Sequence, residues 1–221
     1  MAPTVDRRPI AARDHQWAQA VAAWLAKHRV SPNGISIFGL ICGVFAGVSF
    51  GLTIWSPDAA RGLWLIGALL VQLRLAANMF DGMVAMAQGA ASPLGELYNE
   101  IPDRISDSAV LIGVGIAAGS WGLGCLAALA AIATAYVRAV GKAAGAASDF
   151  GGPMAKQQRM FLATLAALWF GLAPALWQQA LAGTDVLRIL LIVITLGAVL
   201  TAGRRLLRIA ASLRRPANPK R

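Results

Sequence analysis

Six apolar segments set the fold that this chain can adopt, because each is close to the roughly 20 residues that a helix needs to cross a bilayer. We place them at 35–55, 61–86, 94–118, 121–145, 157–178 and 185–207. Hydrophobic residues make up 57% of the 221 positions, charged residues make up only 14%, and the mean hydropathy is +0.61. This composition excludes a soluble domain. The sequence therefore predicts an all-α membrane protein with six transmembrane helices.

The segment before the first span has a different pattern. Residues 11–29 place Trp17, Val21 and Trp24 on one helical face, with Arg13 and Lys27 largely away from it. Such a helix is expected to lie along the membrane surface rather than cross it. We therefore divide the chain into a cytoplasmic N-terminal segment at 1–30, a six-helix membrane domain at 31–210 and a basic cytoplasmic tail at 211–221.

The net charge is +10, and the basic residues that cause it flank the apolar spans. This position favours contact with anionic lipid headgroups over contact with nucleic acid. Sixteen lysines and arginines lie in the N-terminal segment, between spans four and five, and at the C-terminal end. Only Arg61 and Arg188 lie on the opposite side. By the positive-inside rule, both termini and the connection between spans two and three face the cytoplasm.

Ionisable residues inside or beside the second and third spans are the main functional signal. They are Arg74, Asp81, Glu96, Glu100, Asp103, Arg104 and Asp107. One charge at the bilayer centre costs roughly 2.5–3.5 kcal/mol, so seven facing lipid would cost on the order of 20 kcal/mol. These side chains must therefore face a hydrated cavity, one another or the headgroups, and by default they mark a functional site.

Helical periodicity arranges these residues into two stripes. Arg74, Asn78 and Asp81 share one face of a helix, and a second helix carries a stripe of oxygen-bearing residues from Glu96 to Asp107. The short sequence AMAQGAASPLG between them predicts an antiparallel hairpin in which the stripes face each other. Oxygen ligands from two helices suit a hard cation such as Mg²⁺. The alternative is a polar seam that only holds the helices together.

The same stretch carries a long motif: Asn78-x-x-Asp81-Gly82-x-x-Ala85-Met86, then Gly95-x-x-x-Asn99-x-x-x-Asp103. It resembles the signature of the CDP-alcohol phosphatidyltransferases, Asp-x-x-Asp-Gly-x-x-Ala-Arg followed by Gly-x-x-x-Asp-x-x-x-Asp. The spacing is kept at every position, and the resemblance covers the chain from about residue 30 to 210. Three identities depart from the signature, since Asn78 and Asn99 replace aspartates and Met86 replaces the arginine.

This resemblance implies an integral membrane enzyme of phospholipid biosynthesis. Such an enzyme moves a phosphatidyl group from CDP-diacylglycerol to an alcohol acceptor and releases CMP. It uses Mg²⁺ or Mn²⁺, as a divalent metal pair that binds the donor's diphosphate. It also implies a homodimer, and with the charge bias it predicts a bacterial inner (cytoplasmic) membrane location with the active site facing the cytoplasm. Two alternatives remain: a non-catalytic protein of the same fold that binds a CDP-lipid or a cation, and a small transporter that uses the acidic seam.

The resemblance also assigns roles to individual residues. Asp103 takes the position of the catalytic base, and Asp81 that of a metal ligand, with amide oxygens of Asn78 and Asn99 beside it. Small residues let the nucleotide approach the helix backbone at Gly82, Ala85 and Gly95. Glu100 can supply a further metal carboxylate or pair with Arg104, and Asp107 has the same two alternatives with Arg74. Cations between spans four and five meet either an acceptor phosphate or lipid headgroups: Lys142, Lys156 and Arg159.

Overall fold

A computed structural model describes residues 13, 15–89, 93–174, 176–177 and 183–214. The regular secondary structure of the described residues is all helical, with a 3₁₀ turn at Pro57–Ala59 and seven α-helices: α1 Gln16–Lys27, α2 Pro32–Leu52, α3 Ala60–Ala87, α4 Pro93–Ala117, α5 Trp121–Ala143, α6 Lys156–Leu172 and α7 Gly183–Leu213. Several parts of the predictions lie outside the described residues: positions 1–12 and 14, the centre of the turn at 90–92, residues 175 and 178 of the fifth span, and the tail at 215–221.

Four helical segments are long and apolar enough to cross a membrane: Pro32–Leu52, Pro57–Ala87, Trp121–Ala143 and Asp185–Leu213. The predicted all-α fold is therefore confirmed, with these four helical segments as candidate membrane spans. Helix α4 differs because it carries the ionisable residues, and α6 differs because it has only 17 residues. Helix α6 ends at Leu172, before the predicted end at residue 178, since Pro174 follows and the residue before it is extended. That all six segments cross the membrane stays a prediction.

The start of α2 shows how local sequence sets a helix boundary. Ser31 is the N-cap, its hydroxyl accepts a hydrogen bond from the Gly34 amide at 3.4 Å, and Pro32 occupies the first helical position. This cap fixes where α2 begins, three residues before the predicted start of the span. It also fixes the position of Ser36 along the axis of α2. Ser36 lies in the first two turns and faces the interior.

Helix α2 packs against both α3 and α4, while α3 and α4 contact each other at few positions. Glycine makes the α2–α4 contact possible. A Cβ atom on Gly47 would lie 2.2 Å from the Ala109 carbonyl oxygen, and one on Gly113 would lie 2.1 Å from the Gly47 carbonyl oxygen. The two backbones therefore touch, as is common where small residues meet in membrane helices. This close contact brings the charged face of α4 toward α3.

Apolar and polar parts of the interior lie at opposite ends of the helices. At one end, the Phe50 and Trp64 ring centroids are 5.0 Å apart, and Trp64 and Phe170 are 5.2 Å apart. The buried ionisable residues lie toward the other ends of α3 and α6. Helix α1 packs on α3 at the polar end through an edge contact between Trp17 and Phe80.

Candidate active site

A polar cluster of six buried ionisable residues lies between α3, α4 and the first turn of α6. Each is at most 8% exposed, and three acids are matched by three bases: Asp81, Asp103, Asp107, Arg74, Lys156 and Arg159. Buried ions are tolerated when they are paired and hydrogen-bonded. Arg74 on α3 contacts Asp103 and Asp107 on α4, so the two stripes face each other as the periodic pattern predicts.

Asp103 lies at the centre of the polar cluster. Its Oδ1 is 2.9 Å from Nη2 of Arg74, and its Oδ2 is 2.5 Å from Nζ of Lys156. The guanidinium of Arg104 lies farther away, at 3.9 Å. Both carboxylate oxygens are therefore held by cations from other helices, and the residue predicted as the catalytic base is fixed in orientation.

Asp107 is held one turn further along α4. It is 2.6 Å from Nη2 of Arg74 and 3.4 Å from Nη2 of Arg159. Arg74 also donates from Nε to Ser106 Oγ at 3.0 Å, and Arg159 donates from Nη1 to the Met154 carbonyl at 2.9 Å. Of the two alternatives for Asp107, the structure shows ion pairing.

Asp81 is bound by neutral donors. Its Oδ2 accepts from Ser36 Oγ at 2.7 Å and from Asn99 Nδ2 at 3.4 Å, and its Oδ1 accepts from the Gly82 amide at 2.5 Å. Asn78 Nδ2 donates to Asn99 Oδ1 at 3.4 Å. The two asparagines of the motif therefore link Asp81 to the rest of the cluster.

A small cavity of about 10 Å³ opens among these residues, which is room for about one water-sized particle. Its walls come from α2, α3 and α4: Ser36, Gly39, Leu40, Arg74, Asn78, Asp81, Asn99, Pro102, Asp103 and Ser106. All four positions at which the family signature has an aspartate therefore meet around one space.

The donors around this cavity are those that a hard divalent cation prefers, namely carboxylate and amide oxygens. Few such donors are present: in the described part of the chain, no three His, Cys, Asp or Glu side chains come together as a metal site. Asp81 offers a carboxylate to one cation, and Asn99 adds its amide oxygen only if its amide turns, because its Nδ2 now faces Asp81 and its Oδ1 accepts from Asn78. The remaining ligands must come from water or from a substrate phosphate.

Protein-family models give no match to this chain. Among curated proteins, Inner membrane protein YnbA of Escherichia coli is 29% identical over 157 residues, which is 71% of this chain and 74% of that protein. Phosphatidylinositol phosphate synthase of Mycobacteroides abscessus is 28% identical over 179 residues, covering 73% and 76%. The same synthase of Streptomyces avermitilis is 25% identical over 158 residues, covering 68% and 62%.

Solved structures show the same fold. Two crystal structures of Mycobacterium tuberculosis phosphatidylinositol phosphate synthase (PgsA1) superpose with a TM-score of 0.70. The one with CDP-DAG is 20% identical and covers 94% of this chain and 98% of that chain. The one with manganese and citrate is 21% identical and covers 92% of each. In sequence and in fold, the chain is similar to phosphatidylinositol phosphate synthases. The resemblance predicted from the motif is thereby confirmed.

Within this transferase fold, Glu100 has a different place from the other predicted metal ligands. Its Oε1 is 2.5 Å from Nη2 of Arg138 on α5, and its Oε2 is 3.0 Å from Nη2 of Arg104. Glu100 does not line the cavity that Asp81 and Asp103 share. The structure therefore favours the pairing alternative for Glu100 over metal coordination.

The remaining predicted residues divide into two groups. Gly82 and Ala85 on α3 and Gly95 in the first turn of α4 are partly exposed, as an approach surface for a ligand requires. The three cations predicted to act together are separated. Lys156 and Arg159 are buried inside the polar cluster, whereas Lys142 is exposed in the last turn of α5.

Sequence reasoning missed three residues of this region. Ser36 binds Asp81 from an apolar helix, where a single serine gives little signal. Arg138 pairs with Glu100 on α4, whereas the charge pattern of the sequence places it only among the cations that flank a span. Arg205 is 5% exposed and donates to the carbonyl groups of Thr134, Phe150 and Gly151, so it fixes the loop before α6.

Proposed function

We propose that the protein is a CDP-alcohol phosphatidyltransferase of phospholipid biosynthesis, which moves a phosphatidyl group from CDP-diacylglycerol to an alcohol acceptor and releases CMP. The observation that carries this proposal is the convergence of Asn78, Asp81, Asn99 and Asp103 on one cavity. The relatives named phosphatidylinositol phosphate synthases and the shared fold support it. A neighbour with CDP-DAG bound supports the choice of donor.

The cofactor in this proposal is one divalent cation, Mg²⁺ or Mn²⁺, held by Asp81 and the Asn99 amide oxygen. Asn78 lies beside them with its own amide oxygen bound to Lys156. The neighbour in complex with manganese and citrate supports a divalent metal. When bound, the cation supplies neutralisation of the charge on the transferring phosphate and on the departing CMP.

The protein's own groups then have distinct tasks. Asp103 takes the proton of the acceptor hydroxyl through Oδ2, the oxygen that also contacts Lys156, while Arg74 holds Oδ1. Gly82 and Ala85 leave space for the nucleotide beside α3. Lys142, exposed in the last turn of α5, contacts the acceptor or a lipid headgroup in this proposal.

The proposal is tested by CMP release from purified protein supplied with CDP-diacylglycerol, Mn²⁺ or Mg²⁺ and a panel of alcohols. We expect release that requires both an alcohol and the metal, and a lipid product that mass spectrometry identifies. Removal of the metal with EDTA should abolish release. CDP-diacylglycerol binding without any release would instead support the non-catalytic alternative, which the two asparagines of the signature favour.

The membrane arrangement belongs to the same proposal. All six segments cross the membrane, residues 31–210 form the membrane domain, and α1 lies on the cytoplasmic surface. Trp17 and Trp24 on α1 are 56% and 57% exposed, which supports an interfacial position for this helix. The protein forms a homodimer in this proposal, which cross-linking in native membranes can test by giving a single dimeric band.

Cysteine labelling tests the orientation. Ala147 lies in the loop before α6 and Gly122 at the start of α5, at opposite ends of α5, and both are exposed. In a background without native cysteines, we expect Ala147→Cys to react with an impermeant maleimide only in inverted vesicles. Gly122→Cys should react in intact cells. The reverse pattern would show that the site faces the other side of the membrane.

A further inference from the structure

The position of Lys156 in the polar cluster is not what a flanking cation requires. Lys156 is the first residue of α6 and is 8% exposed. Its Nζ lies 2.7 Å from Asn78 Oδ1 on α3 and 2.5 Å from Asp103 Oδ2 on α4. A compact cation therefore joins oxygen atoms of two facing helices, which is the geometry that a bound metal ion would provide.

The charges in the polar cluster are unevenly placed. Arg74, Lys156 and Arg159 are paired with Asp103 and Asp107, which leaves one positive charge in excess on that side. Asp81 differs, because the donors to its carboxylate are the neutral groups of Ser36, Gly82 and Asn99. A divalent cation is therefore repelled from the Asp103 side and attracted to the Asp81 side.

The two asparagines explain why a lysine is stable at this point. Asn78 presents a neutral amide oxygen to Lys156. Asn99 donates from its neutral amide nitrogen to Asp81 and accepts from Asn78 through its oxygen. With neutral amides at both positions, the six ionisable residues of the cluster have no net formal charge. Adding a divalent ion to this balanced, buried group would create an excess of two positive charges, unless an anionic ligand enters with it.

We propose that the ammonium group of Lys156 is a built-in cation of this site, which occupies the place between Asn78 and Asp103 that a second divalent ion would need. The site then takes at most one divalent ion, beside Asp81, and takes it together with the anionic diphosphate of the donor. This inference rests on the proposed function for the identity of the donor. The contacts of Lys156 and the charge balance of the apo protein do not depend on which donor binds.

The experiment measures Mn²⁺ binding to the purified full-length protein in detergent. Electron paramagnetic resonance of free Mn²⁺ gives the number of ions bound, with and without CDP-diacylglycerol, and calorimetry gives the affinity. We expect weak binding by the apo protein and one ion at most in the presence of the donor. Lys156→Gln should tighten apo binding by at least about tenfold, since it removes one nearby positive charge.

Two variants serve as matched controls. Lys156→Arg keeps the charge and should retain the metal binding of the unmodified protein. Arg214→Gln also removes one positive charge, but from an exposed position after α7, and should change nothing. Size-exclusion profiles and thermal melting show whether each variant is folded before its metal binding is compared.

Two tightly bound Mn²⁺ ions in the unmodified protein would overturn the inference, and this result needs no variant. Equal affinities in Lys156→Gln and Arg214→Gln would also overturn it. CMP release is measured on the same samples. Failure to release CMP would refute the proposed transferase activity alone, because the number of Mn²⁺ ions is read without turnover.

Discussion

Replacing Asp81 or Asp103 is expected to lower CMP release at least about 100-fold while the protein still inserts in the membrane. The first change removes the proposed metal ligand, and the second removes the proposed proton acceptor. Both residues line the same cavity. The asparagine variants are preferred to alanine at these positions. Asp103→Ala would remove the carboxylate partner of the buried Lys156 and one of the two carboxylates at Arg74, whereas asparagine keeps an oxygen to accept from them.

The two variants should differ in their metal binding. Asp81→Asn removes the carboxylate beside which the divalent ion is proposed to bind, so Mn²⁺ binding with the donor should be lost together with turnover. Asp103→Asn should lose turnover and keep a Mn²⁺ site on Asp81, with weaker affinity because one nearby negative charge is removed. Asp58→Ala, an exposed carboxylate in the 3₁₀ turn, is the control and should retain full activity. Near-normal turnover in Asp103→Asn would eliminate its role as the base.

Local spacing made part of this site predictable. Asn78 and Asp81 are three residues apart, and Asn99 and Asp103 are four apart, so each pair must share a helix face wherever the helices lie. The cost of placing these residues in lipid then requires that the two faces turn inward together. The cavity that they line follows from those two constraints.

Residues that come from distant parts of the chain could not be placed in this way. Lys156 reaches Asn78 across 78 positions, and its direction depends on the path of the loop that Arg205 holds. The positive-inside rule counts such a lysine but does not say whether it faces headgroups or the interior. Glu100 follows Asn99 directly and falls near the same helical stripe, yet Arg138 on α5 turns its carboxylate away.

Arg74→Met should cause the largest loss of stability in this protein. Arg74 is 1% exposed and is shared by Asp103 and Asp107, at 2.9 and 2.6 Å. Removing one partner of a buried ion pair costs about 3–5 kcal/mol, because the remaining charge is left uncompensated in a low-dielectric site. Thermal unfolding in detergent, followed by circular dichroism, measures the loss as a lower transition temperature.

The size of this loss depends on Asp107 as much as on Arg74. Arg74→Met combined with Asp107→Asn should recover part of the stability, since the double variant no longer leaves the Asp107 carboxylate short of a cation. Arg188→Met is the matched control: Arg188 and its partner Asp185 are 43% and 61% exposed, so the change should cost about 1 kcal/mol or less. If Arg74→Met is no more harmful than Arg188→Met, the polar cluster is hydrated rather than held by ion pairs. In that case the charge balance that excludes a second divalent ion would lose its physical basis.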